Sequence, residues 1–107
     1  MDKDRLYLDH IVQAIGKIER YTRDVALEDF RTNELIQDAV VRELEIIGEA
    51  VRYVSESTRQ RYADVQWSQI SGMRNKLIHE YFGVDVDVVW KTITEDLPPL
   101  YKQLEKI

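Results

Sequence analysis

Arg74, His79 and Tyr81 lie together in the stretch RNKLIHEYFG, residues 74–83. Histidine titrates near neutrality and can take up and return a proton, whereas arginine keeps its charge and presents a planar fork that matches two phosphate oxygens. These are the two groups that RNA cleavage needs when no metal takes part: a base for the 2′-hydroxyl proton and a cation for the charge developing on the phosphate. No metal or other cofactor is expected for such chemistry.

The spacing predicts a helix from about Trp67 to Phe82, ended by Gly83. At 100° per residue Trp67, Ile70, Leu77, Ile78 and Tyr81 share one arc, and Arg74 falls near its centre. A permanent charge is costly there unless something needs it. His79 lies roughly 140° from Arg74 around the same helix, so the two do not meet within one copy. A phosphate held between two copies facing across a two-fold axis would bring them together. Taken singly, each residue also has a plainer reading. Arg74 fits an ion pair that holds two helices in register, and His79 fits a cation favoured by a helix C-terminus.

Around this segment the chain reads as helical. The 107 residues are 44% hydrophobic and 33% charged, with four glycines and two prolines, which suits one globular all-α domain over 1–107. Leu8, Ile11, Ile15 and Ile18 predict a first helix from about Lys3 to Thr22; VALEDFRTN then breaks the pattern. Thr32 or Asn33 is placed to cap a second helix with the stripe Ile36, Val40, Leu44, Ile47, Val51 and Val54, leaving Glu43, Glu45, Glu49 and Arg52 largely outside it. Gly48, beside the stripe, would let a neighbouring helix come close. SESTRQRYADV reads as a polar connector with room for one helical turn. Asp85 caps a last helix with the stripe Val86, Val89, Trp90, Ile93 and Leu97, which Pro98 and Pro99 should kink or interrupt. Trp67, Trp90 and most tyrosines are expected in the core, and His10 is given no role. The expected architecture is an up-and-down antiparallel bundle of four to five helices.

With no cysteine there is neither a disulfide framework nor a thiolate metal site. The charged start MDKDRLYLDH and the lack of a long apolar run give no signal peptide or membrane span, so a cytoplasmic location is expected. A net charge of −5 argues against a generic nucleic-acid coat but leaves room for a local basic site.

The R-x4-H-x-Y arrangement of Arg74, His79 and Tyr81 resembles the signature of the HEPN superfamily, and specifically its HepT-like ribonuclease toxins. WSQISGMRNKLIHEYFGVDVDVVWKTITEDLP is similar to that family throughout, and AVVRELEIIGEAVRYVS resembles its second long helix; the likeness is weakest over the first thirty residues and over 56–66. The resemblance implies a HEPN-like bundle that forms a homodimer, with the motifs of both copies in a shared cleft that cleaves RNA without a metal. By position, Arg74 would stabilise the scissile phosphate, His79 would be general base or acid, and Asn75 would help to orient them. The implied partner is a minimal nucleotidyltransferase, an antitoxin that transfers AMP from ATP to Tyr81. Bulk and negative charge on Tyr81, which shares the face of Arg74, would block RNA and occupy the cation. Two other readings stand beside this one: a non-catalytic helical regulatory partner of such a nucleotidyltransferase, and a structural bundle in which Arg74 makes an interface salt bridge.

Overall fold

The first apolar stripe builds α1, Asp2–Thr22, whose Leu8, Ile11, Ala14, Ile15 and Ile18 are buried. A computed structural model describes residues 2–72 and 85–107, and all regular structure among the described residues is helical. After α1 the chain turns through Asp24, whose φ of 63° lies in the left-handed region that short polar side chains tolerate. It then forms α2, Leu27–Thr32, where the periodicity gave no sign of a helix. Ala26 supplies no side-chain cap, and six residues cannot sustain a helix alone. Tertiary contacts hold it instead. Phe30 is fully buried, and the Gln37 side-chain amide donates to the carbonyls of Phe30 at 2.8 Å and Arg31 at 3.0 Å.

Asn33 is the cap that starts α3, Glu34–Val51: its side-chain oxygen accepts from the Ile36 amide at 3.0 Å. Val40, Leu44, Ile47 and Val51 are fully buried, as the stripe predicts. Glu43 departs from the expectation, because it is buried, at 7% exposure, and not outside the stripe. The physical reason is that α3 is covered on two sides, by α1 and by a later helix, α5, Trp67–Ser71. Its buried positions, from Ala50 round to Gly48, therefore span an arc of roughly 160° at 100° per residue, and Glu43 lies within it. The end of α3 is closed by Arg59, whose guanidinium donates to the carbonyls of Val54 at 3.2 Å and Val51 at 2.6 Å. Arg59 belongs to α4, Glu56–Arg61, the one short helix of the polar connector, capped by Ser55.

Beyond the motif segment come α6, Val86–Lys91, a π turn at Thr92–Asp96, and α7, Leu97–Glu105. The expected interruption thus takes the form of a π turn. Pro98 and Pro99 have no amide to offer the carbonyls four residues back, and the Leu97 amide donates to Thr92, one residue further than in an α-helix. Counted at 100° per residue, Leu97 falls about 80° from Val89. The slower winding of the π turn reduces that angle, and Val89, Ile93, Leu97, Leu100 and Leu104 are all buried.

The helices form an antiparallel bundle. The start of α1 meets the end of α3, where Ser55 bonds Asp4 and Tyr53 stacks on Tyr7. It also meets the end of α7, where the Arg5 guanidinium donates to the Ile107 carbonyl. No helix among the described residues is long and apolar enough to cross a membrane.

Candidate functional site

Arg74, Asn75, His79 and Tyr81 lie outside the described residues, as do Gly83 and the expected helix beyond Gly72. The described residues define the frame on either side of them.

On the upstream side, α5 carries the beginning of the arc on which Arg74 was placed. Trp67 and Ile70 are buried, and α5 packs on α3. The Trp67 indole donates to the Tyr62 carbonyl at 3.0 Å, which satisfies its polar edge while the ring fills the core. Gly72 follows α5, and a Cβ added there would lie 3.3 Å from the Ser68 carbonyl oxygen. A side chain at 72 would therefore press on the turn that leads into the motif.

Downstream, Asp85 accepts from the amides of Asp87 at 3.1 Å and Val88 at 3.2 Å, so it caps α6 as its sequence position suggested. The start of α6 is then tied to α2. Arg31 donates to the Asp87 carboxylate through Nε at 2.9 Å and Nη2 at 3.3 Å, a bidentate pair. The Arg31 hydrogen bonds, and next its charge, hold the Asp87 carboxyl below the usual carboxylate range; the Asp87 hydrogen bonds and charge raise the Arg31 guanidinium. Both side chains are solvent-exposed, so the pair serves alignment more than global stability. Beneath it, Phe30 packs on Trp90 with ring centroids 5.1 Å apart.

A second polar cluster fixes α1 to the α3–α4 connector. The Asp4 carboxylate accepts from the Ser55 amide at 2.9 Å, from the Ser55 hydroxyl at 2.6 Å and from the Thr58 hydroxyl. Those hydroxyl bonds, Ser55 first and Thr58 second, hold the Asp4 carboxyl below its ordinary range despite partial desolvation. Among the described residues no group of three or more His, Cys, Asp or Glu is arranged to hold a metal ion.

Sequence periodicity missed three parts of this frame. It gave no sign of α2, and therefore none of the Arg31–Asp87 pair, whose partners are 56 residues apart. It left Asp4 without a role. It also set Glu43 outside the α3 stripe, whereas the residue is buried.

The family described as Ribonuclease HepT-like matches residues 11–107. The chain is 46% identical over 101 residues to "Probable ribonuclease HepT" of Thermococcus cleftensis, an alignment that covers 94% of this chain and 92% of the relative. It is 42% identical over 107 residues to a "Putative RNase" of Caldanaerobacter subterraneus, covering 100% of this chain and 96% of the relative. A longer relative, the "Gamma-glutamylcyclotransferase and putative RNase" of Methanocaldococcus jannaschii, is 42% identical over 108 residues; the chain is covered in full but spans only 49% of that protein. No solved structure matches the chain.

Proposed function

This chain belongs to the ribonuclease HepT-like family of the HEPN superfamily, and from that premise we propose that it is a metal-independent endoribonuclease and the toxin of a toxin–antitoxin pair. The observation that carries the reading is the family match over residues 11–107, a span that includes an intact R-x4-H-x-Y motif at Arg74, His79 and Tyr81. We take residues 1–107 as one domain that works as a homodimer, with the two motifs in one cleft.

In the proposed reaction His79 removes the 2′-hydroxyl proton and the 2′-oxygen attacks the adjacent phosphorus. The bond to the 5′-oxygen breaks, that oxygen takes up a proton, and the products are a 2′,3′-cyclic phosphate and a 5′-hydroxyl end. Arg74 binds two non-bridging oxygens and stabilises the charge they gain, and Asn75 orients the pair. For control, the Tyr81 hydroxyl oxygen attacks the α-phosphorus of ATP on a partner nucleotidyltransferase and pyrophosphate leaves. The AMP then carries its phosphate to the face of Arg74, where it competes with RNA.

The test is RNA degradation by purified protein in a chelator, compared with Arg74→Ala and His79→Ala variants whose helical content is checked by circular dichroism. Loss of cleavage in both folded variants is expected. Cleavage at wild-type rates in either one would sink the assignment.

A further inference from the structure

Tyr7 on α1 and Tyr53, two residues past the end of α3, stack with ring centroids 5.1 Å apart and planes 21° from parallel. The His10 ring meets Tyr7 edge-on at 6.0 Å, which fixes the pair from a third side. Stacking covers one face of Tyr53, yet the residue is 56% exposed, so a large aromatic surface faces solvent in a fixed orientation. Arg42, Ile46, Glu49 and Ala50 of α3 complete a concave surface of about 310 Å³ beside the rings.

The charged side chains that line this groove are one guanidinium, Arg42, and two carboxylates, Glu45 and Glu49. Arg42 is exposed and makes no ion pair among the described residues. Of the two carboxylates, Glu49 pairs with Arg52 at 3.4 Å. An oriented aromatic face next to an uncommitted arginine is the arrangement that binds single-stranded nucleic acid: the base stacks and the cation takes the adjoining phosphate.

We propose that the Tyr7–Tyr53 groove is a base-stacking subsite for single-stranded RNA, with Tyr53 as the platform and Arg42 as the phosphate contact. The subsite rests on the ribonuclease reading and deepens it, because it gives this acidic protein a way to hold a strand outside the motif. Stacking uses the π-face that every base has, so the subsite favours unpaired strands and not a particular sequence.

The test uses the full chain carrying His79→Ala, which keeps RNA intact, and the binding of a short fluorescein-labelled single-stranded RNA followed by anisotropy. Adding Tyr53→Ala should weaken binding by about tenfold, and Tyr53→Phe should keep it within about twofold, since the ring and not the hydroxyl is needed. Arg42→Met should weaken binding and reduce the slope of log K against log salt by about one. Leu35→Ala, at an 80% exposed leucine of α3 outside the groove, is the control and should change nothing. Unchanged affinity in Tyr53→Ala, or equal loss in Tyr53→Phe, overturns the subsite. A change of mass by sedimentation in Tyr53→Ala also overturns it, by assigning the groove to a second copy of the chain. Wild-type protein that cleaves RNA while Tyr53→Ala binds normally removes the subsite alone. Wild-type protein that neither binds nor cleaves RNA removes the ribonuclease reading, and the subsite with it.

Discussion

Arg31 and Asp87 form a two-pronged ion pair between α2 and the first turn of α6, two residues past the N-cap that follows the motif segment. Both side chains are exposed, so water and salt screen the pair and its removal should move the melting temperature little. The local effect should be larger. In an Arg31→Met variant the amides of 88–91 should exchange faster while those of α1 and α3 keep their protection. Unchanged exchange at 88–91 would show that the pair does not hold the start of α6.

Phe30 should matter far more to global stability. It is fully buried on a helix of six residues and packs on Trp90. Phe30→Ala should cost about 3–5 kcal/mol in urea unfolding, from lost burial and the cavity left behind. A loss below about 1 kcal/mol would mean that the surroundings collapse into the space and that α2 is not anchored by this ring.

Asp4 should give the protein an acid-sensitive stability component. Its carboxyl titrates lower in the folded chain than in the unfolded one, so its contribution is complete above the unfolded value of about 3.9. That contribution is lost as pH falls through the folded value. Asp4→Asn should therefore lower the melting temperature at pH 7 by removing charge-assisted bonds to Ser55 and Thr58, and should flatten the fall in stability between about pH 5 and pH 3. Parallel melting curves for wild type and variant over that range would refute the linkage.

Tyr81 separates the proposed cleavage from its proposed control. Tyr81→Phe removes the hydroxyl that would accept AMP and keeps the ring. The variant should cut RNA with the chelator present and stay active after incubation with the cognate nucleotidyltransferase and ATP, which should silence the wild type. Silencing of the variant under the same conditions would place the modification elsewhere.

Local chemistry made several of these elements legible in the sequence. A short polar side chain ahead of an apolar stripe points to a cap: Asp85 accepts the expected amide bonds, and of the two candidates Thr32 and Asn33 it is Asn33 that does so. The family signature was legible in the residues around Arg74, His79 and Tyr81. What was hidden depends on distant partners. α2 is helical because Phe30 finds a core and Gln37 finds its last carbonyls, and neither fact is written within its six residues. Glu43 is buried because α3 is covered from two directions, whereas a wheel drawn around one stripe assumes a single neighbour. Pro98 and Pro99 announced an interruption, but its form as a π turn is set by the need to keep Leu97 and Leu100 on the core.

Those prolines also bear on what holds the last two helices. A helix started in α6 cannot propagate by simple addition of residues through two positions that lack amide protons, so α6 and α7 each need a nucleus of their own. With six and nine residues, both are shorter than the length at which an isolated helix holds in water. Docking holds them helical, α6 against α2 and α7 against α1. The two segments that follow the motif thus draw their helical stability from contacts with α1 and α2, which lie within residues 2–32.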